Sequence, residues 1–101
     1  MSSLFDWPPL PTRVVNLKEE EYDVRIDRKT KWGNPFVIGK DGTREDVLRL
    51  YEDWVREQPY LMDALHELRG KRLGCWCKPN ACHGDILARL ADSSGHSFLA
   101  K

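Results

Sequence analysis

All three cysteines of the chain fall in one stretch, Cys75-Trp76-Cys77-Lys78-Pro79-Asn80-Ala81-Cys82, and His83 follows directly. Three thiolates and an imidazole match the Cys3His ligand set of four-coordinate zinc, so Cys75, Cys77, Cys82 and His83 are the candidate metal ligands. The spacing is compressed: zinc modules usually set Cys-x2-Cys pairs far apart, and adjacent Cys82 and His83 must bend sharply to reach one ion. An iron–sulfur centre is the lesser metal alternative. Metal-free chemistry fits the same residues. A cysteine at a helix N-terminus has its thiolate favoured by the macrodipole, so Cys82 could attack, His83 could move a proton, and Asp85 could orient His83 or cap the helix. In a third reading the cysteines merely pack beneath a sheet and His83 is a satisfied polar residue. The residues alone leave all three open, with zinc the leading expectation.

A second segment carries an unusual mixture, Lys31-Trp32-Gly33-Asn34-Pro35-Phe36. Trp32 could stack on a base while Arg25, Arg28 or Lys31 meets a phosphate and Asn34 reads polar edges, which makes these five the candidate ligand-binding residues. The competing reading puts Trp32 and Phe36 into the core and Asn34 on a turn, since large aromatics in so small a chain are usually buried.

Both segments need elements to position them. Arg13-Val14-Val15-Asn16-Leu17 suits a buried strand, and Tyr22 to Asp27 alternates with the period of a half-buried one. Thr43-Arg44-Glu45-Asp46 is a capping-box start for a helix with Val47, Leu48, Leu50, Tyr51, Trp54 and Val55 on one face. Pro59 opens a second helix, and Gly70 fits the position after its end. Lys71 to Cys77 reads as a third strand, in which Cys75 and Cys77 share one face, too far apart to pair, while Trp76 points the other way and packs. A helix then begins near Cys82, with Ile86, Leu87 and Leu90 on its buried side. The expected fold is a small single-domain α/β architecture, Rossmann-like and layered, with a short, mostly parallel sheet and about three helices. A ligand crevice is expected where the third strand hands over to the last helix.

With 101 residues the chain holds one core. Residues 1–12 read as a Pro-rich tail that straps onto the domain or binds a protein partner, 13–92 as the domain, and 93–101 as a loose end with His96 idle. Sixteen basic against sixteen acidic residues provide no global attraction to nucleic acid, although a local basic patch stays open. The odd cysteine count excludes a full disulfide framework, and no apolar run or leader pattern points to a membrane, so a cytoplasmic setting is expected.

In these motifs the chain resembles the family known as domain of unknown function 4326, small proteins of bacteria and their phages. The resemblance rests on Val14-Val15-Asn16-Leu17, Tyr22-Asp23-Val24, the Lys31 to Phe36 segment with Val37 to Arg44, Arg69 to Leu73, Cys75-Trp76-Cys77-Lys78-Pro79 and Cys82 to Leu87. It implies no activity of its own. Its phage and bacterial setting implies, by analogy, a place in nucleotide or nucleic-acid metabolism, hence a nucleotide-like or anionic small-molecule ligand. A metal-free enzyme acting on a nucleoside-type substrate and a module that binds a host factor are the alternatives.

Overall fold

The computed structural model describes residues 11–99, with side chains placed as far as Ser93. In chain order the elements are β1 (Arg13–Asn16), β2 (Val24–Arg25), α1 (Arg44–Arg56), α2 (Pro59–Ala64) running into a 3-10 turn (Leu65–Glu67), β3 (Arg72–Cys75) and α3 (His83–Leu99). The strands order as β1-β3-β2, and both outer strands run parallel to β3. This is the small α/β domain with a short parallel sheet and three helices that the pattern predicts.

The last strand in sequence, β3, occupies the centre, with Val15 opposite Gly74 on one side and Arg25 opposite Gly74 on the other. The connection from β1 to β2 crosses the sheet at this glycine. A β-carbon on Gly74 would come within 2.9 Å of the Tyr22 ring and 3.2 Å of the Leu17 side chain, so only a bare backbone admits the crossing. β2 is shorter than the alternation of residues 22–27 suggests. Ile26 still donates to the Gly74 carbonyl at 3.0 Å, but the Asp27 carbonyl is taken by the Thr30 amide at 2.9 Å, and that turn ends the ladder.

The helices follow their sequence signals. Thr43 Oγ1 accepts from the Asp46 amide and Asp46 Oδ2 accepts from the Thr43 amide, a complete capping box worth about 1 kcal/mol. Pro59 opens α2, and Gly70 takes a φ of 75° beyond the 3-10 turn. Tyr51, Val55, Leu61, Leu65, Leu68, Leu73 and Leu87 are fully enclosed in one core, which Trp32 also joins.

The chain end departs from expectation. α3 continues through Leu99 instead of loosening at residue 93. Once a helix is nucleated and docked through Ile86, Leu87, Leu90 and Ala91, extension costs little even through Ser93-Ser94-Gly95, because no proline intervenes. Thr12, assigned to the tail, is buried: its hydroxyl donates to Asp92 at 2.7 Å and accepts from the Gly70 amide at 2.7 Å. The rest of the expected tail, residues 1–10, and the His96 side chain lie outside the described residues. Among those described, no helix is long and apolar enough to cross a membrane.

Candidate functional site

The site begins where β3 stops. Leu17 donates to the Cys75 carbonyl at 3.1 Å as the last backbone bond of the β1 edge. Beyond it the Asn16 side chain replaces the ladder, donating to the carbonyls of Lys78 at 2.8 Å and Trp76 at 3.4 Å. Cys77 therefore leaves the strand, on a loop that this asparagine clamps. The loop returns to the domain at Cys82, which precedes the first residue of α3.

That return is capped by Cys82 and Asp85. The Cys82 sulfur accepts from the Gly84 amide at 3.3 Å, and Asp85 Oδ2 accepts from the Cys82 amide at 3.1 Å, so sulfur and carboxylate together satisfy the free N–H groups of the helix start. Asp85 Oδ1 holds Lys78 at 2.9 Å. Its carboxylate is engaged in capping, and no hydrogen bond joins it to His83. A β-carbon on Gly84 would meet Ile26 at 2.6 Å and Val14 at 2.9 Å, so the missing side chain lets α3 start close against the sheet.

The result is convergence: the sulfurs of Cys75, Cys77 and Cys82 lie within 4.8 Å of one another. Cys75 and Cys82 are buried, while Cys77 is half-buried and unpaired. Cys75 and Cys82 are at disulfide distance, yet their Cα atoms are 7.6 Å apart, outside the roughly 4.4–6.8 Å that disulfides usually span. Three thiolates around one zinc ion would stand roughly 3.8 Å apart, the edge of a tetrahedron with 2.3 Å bonds. The cluster is a possible metal site, although Cys75 and Cys82 stand closer together than two zinc-bound thiolates would. His83 stands beside it rather than within it, with Nδ1 3.6 Å from the Cys82 sulfur. Its Nε2 lies 2.7 Å from the Ile26 carbonyl, which can only accept, so Nε2 carries the proton and Nδ1 presents a lone pair towards the thiols. Burial pushes the His83 pKa below the ordinary histidine value, only partly opposed by that hydrogen bond, and keeps the ring neutral near pH 7. Tyr51 packs edge-on to it, 5.1 Å between ring centres.

A cavity of about 530 Å³ opens beside the sulfurs, beyond the carboxyl ends of β2 and β3. Residues 27–29, Asn34 and residues 36–38 form one wall, Arg44, Val47 and Leu48 of α1 another, and Cys75, Trp76, Cys77, Ala81, Cys82 and His83 the third. Such a crevice at the strand ends is where open α/β sheets take ligands.

The second motif contributes only part of what the sequence suggests. Arg28 and Asn34 line the cavity. Asn34 does so while serving a turn, accepting from the Phe36 amide at 2.9 Å and donating to the Val47 carbonyl at 3.4 Å. Trp32 is a correction to the stacking expectation: only 3% exposed, it fills the core, and its carbonyl accepts from the Tyr51 hydroxyl at 2.7 Å. Lys31 lies over the Trp32 ring and pairs with Glu67 at 3.3 Å, away from the cavity lining. Arg25 acts at one remove, donating to Asp27 Oδ2 at 2.9 Å.

Four residues escaped the sequence reading. Trp76, expected to pack, is 50% exposed and lines the cavity, its Nε1 donating to Asp27 Oδ2 at 3.1 Å. Asp27 is buried, and the Arg25 guanidinium first, then the Trp76 N–H, holds its carboxyl below the usual carboxylate value despite that burial. Arg44 reaches across from α1 to the Ala81 carbonyl at 2.9 Å. Asn16 clamps the cysteine loop. The signal for Trp76 was its place between two cysteines at a strand end, where the inside-outside alternation lapses.

A family model described as a domain of unknown function, DUF4326, matches residues 12–93. An uncharacterised 12.4 kDa protein of enterobacteria phage T4, described as lying in the nrdA-td intergenic region, is 46% identical over 85 residues, covering 79% of this chain and 77% of that protein. An uncharacterised protein of Acanthamoeba polyphaga mimivirus is 33% identical over 69 residues, covering 60% of this chain and 52% of that protein. No solved structure is significantly similar to the chain.

Proposed function

The chain belongs to the DUF4326 family, and on that premise, which carries no activity with it, we propose that it is a zinc-binding α/β domain whose metal borders a crevice for a nucleotide-like or anionic ligand. The observation that carries this reading is the gathering of three sulfurs, from a strand end, a clamped loop and a helix cap, at the wall of a cavity. Cys75, Cys77 and Cys82 supply the thiolates. The His83 Nδ1 is the nearest further donor, and its Nε2–H bond to a backbone carbonyl is the outer-shell support usual for ligating histidines. Iron–sulfur clusters take four thiolates as a rule, one more than the chain possesses. With three thiolates and a neutral imidazole filling its four positions, a zinc ion there would be a closed structural centre that fixes the strand end, the loop and the helix start at the crevice wall. A role in phage or bacterial nucleotide metabolism is the setting this reading fits.

Protein purified under reducing conditions without added metal should contain one zinc per chain, and Cys77→Ser should bring that ratio close to zero. Metal-free protein with three titratable thiols would refute the reading. Metal-free protein in which Cys82 alkylates much faster than Cys75 and Cys77 near neutral pH would favour the metal-free thiol alternative instead.

A further inference from the structure

The cavity lining carries an excess of cations. Arg13, Arg25, Arg49, Arg56, Arg72 and Arg89 each lie within ion-pair distance of a carboxylate. Arg28 and Arg44, both lining the cavity, instead donate to backbone carbonyls, Phe36 at 3.0 Å and Ala81 at 2.9 Å, as Arg69 does to Ala91 away from it. Each guanidinium is held in place with most of its donor fork unused. Lys29 adds a third cation to the lining, whose single carboxylate, Asp27, is already paired with Arg25. A partly enclosed space lined by one sign of charge concentrates the opposite sign, and a fixed guanidinium suits phosphate oxygens better than a mobile ammonium does.

The remaining lining calls for an apolar, flat body on that anion. Phe36, Val37, Val47 and Leu48 supply an apolar wall. The Trp76 indole stands half in solvent at the cavity, yet its edge is tied to Asp27 and the Arg25 guanidinium carbon lies 6.0 Å from the ring centre. An exposed indole already fixed in orientation loses little entropy when a ring stacks on it. The two buried polar side-chain atoms without a partner among the described residues, Arg25 Nε and Asp27 Oδ1, both belong to the pair that holds this indole. Unsatisfied polar atoms concentrate where a structure is built for something other than stability.

We propose that the cavity binds a nucleoside monophosphate, with the base stacked on Trp76 and the phosphate held between Arg28 and Arg44. The inference deepens the crevice half of the proposed function and does not depend on the metal. A cavity of about 530 Å³ admits a single nucleotide rather than a strand. The balanced net charge agrees with that choice, because polynucleotide binders carry an extended basic surface.

The test is calorimetric titration of the full chain, with zinc measured on the same sample, using the 5′-monophosphates of adenosine, guanosine, cytidine, uridine and thymidine, the free nucleosides, and inorganic phosphate. At least one monophosphate should bind, with its nucleoside and phosphate alone each at least about tenfold weaker. Arg28→Gln and Arg44→Gln should each weaken it about tenfold. Trp76→Ala should weaken it by roughly five- to a hundredfold. Arg13→Gln, remote from the cavity, should leave it unchanged. Raising ionic strength must weaken binding to the unmodified chain, a readout that needs no variant to fold. No heat with any monophosphate at millimolar concentration overturns the proposal, as does phosphate binding as tightly as the nucleotide or binding indifferent to both Arg44→Gln and Trp76→Ala. Zinc retained without nucleotide binding defeats this inference alone; nucleotide binding without zinc defeats the metal reading alone.

Discussion

Trp32 and Trp76 sit in the two most distinctive segments of the chain, each beside a lysine or cysteines and each within a few residues of a proline, yet they meet opposite fates. Trp32 is enclosed, its carbonyl bound by Tyr51, and the lysine beside it pairs with Glu67 on the outside. Trp76 stands half in solvent, tied by its N–H to Asp27, with the thiols on either side converging on Cys82. The loop of Trp32 runs from the sheet to α1 across the core, and its indole is buried there. The loop of Trp76 begins where β3 runs out of partners, so the side chain meets a cavity instead of a core. An aromatic residue in a polar motif is therefore read by what its backbone lies over, and its neighbours in sequence are a poor guide.

The largest effect expected of that difference is in stability. Trp32→Ala should cost about 3–5 kcal/mol, the usual range for deleting a buried aromatic, whereas Trp76→Ala should cost under about 1 kcal/mol, as measured by urea midpoints at constant m-value. Equal losses would erase the contrast. Next comes metal retention. Cys82→Ser should abolish zinc binding and also weaken the start of α3, while His83→Ala should lower zinc affinity by about 10–100-fold without abolishing it, measured by competition with a chromophoric chelator. An intact zinc ratio in Cys82→Ser would show that the sulfur is only a helix cap.

Smaller effects refine the picture of each loop. Asn34→Ala removes the acceptor for the Phe36 amide and should cost about 1 kcal/mol with zinc content unchanged. The pH response of the Trp76 anchor is the mildest. The folded-state pKa of Asp27 is depressed below the ordinary 3.8, so its pairing with Arg25 and Trp76 contributes stability that is present above that value and lost as pH falls through the folded pKa. Asp27→Asn should accordingly flatten the loss of stability on acidification below about pH 4, read from urea midpoints against pH. A wild-type slope retained in the variant would assign the acid sensitivity elsewhere. Asp23 is the first alternative, since its hydrogen bonds from Arg72 lower its pKa to about 2.

Much of the frame was legible because it rests on local signals. The capping box at Thr43 and Asp46, the proline opening α2, the glycine after the 3-10 turn and the valines of β1 each act through neighbours in sequence. The return at Cys82 followed from a helix start, whereas Cys77, expected on the strand face of Cys75, reaches it from a loop beyond the strand end. What could not be read was anything requiring two distant segments: Asn16 clamping the loop of Cys77, Arg44 crossing from α1 to Ala81, Asp27 meeting Trp76.

The chain's own sequence determined that its reactive side chains lie together and that they join a strand end to a helix cap, since spacing of a few residues leaves no other arrangement. Only the tertiary structure decided which tryptophan would be core and which would face a cavity. It likewise decided that Asp85 caps a helix and that Arg28 and Arg44 meet backbone carbonyls at the cavity instead of carboxylates. Those outcomes depend on which surfaces remain uncovered once the sheet and helices have packed, and burial is a property of the assembled domain rather than of any segment within it.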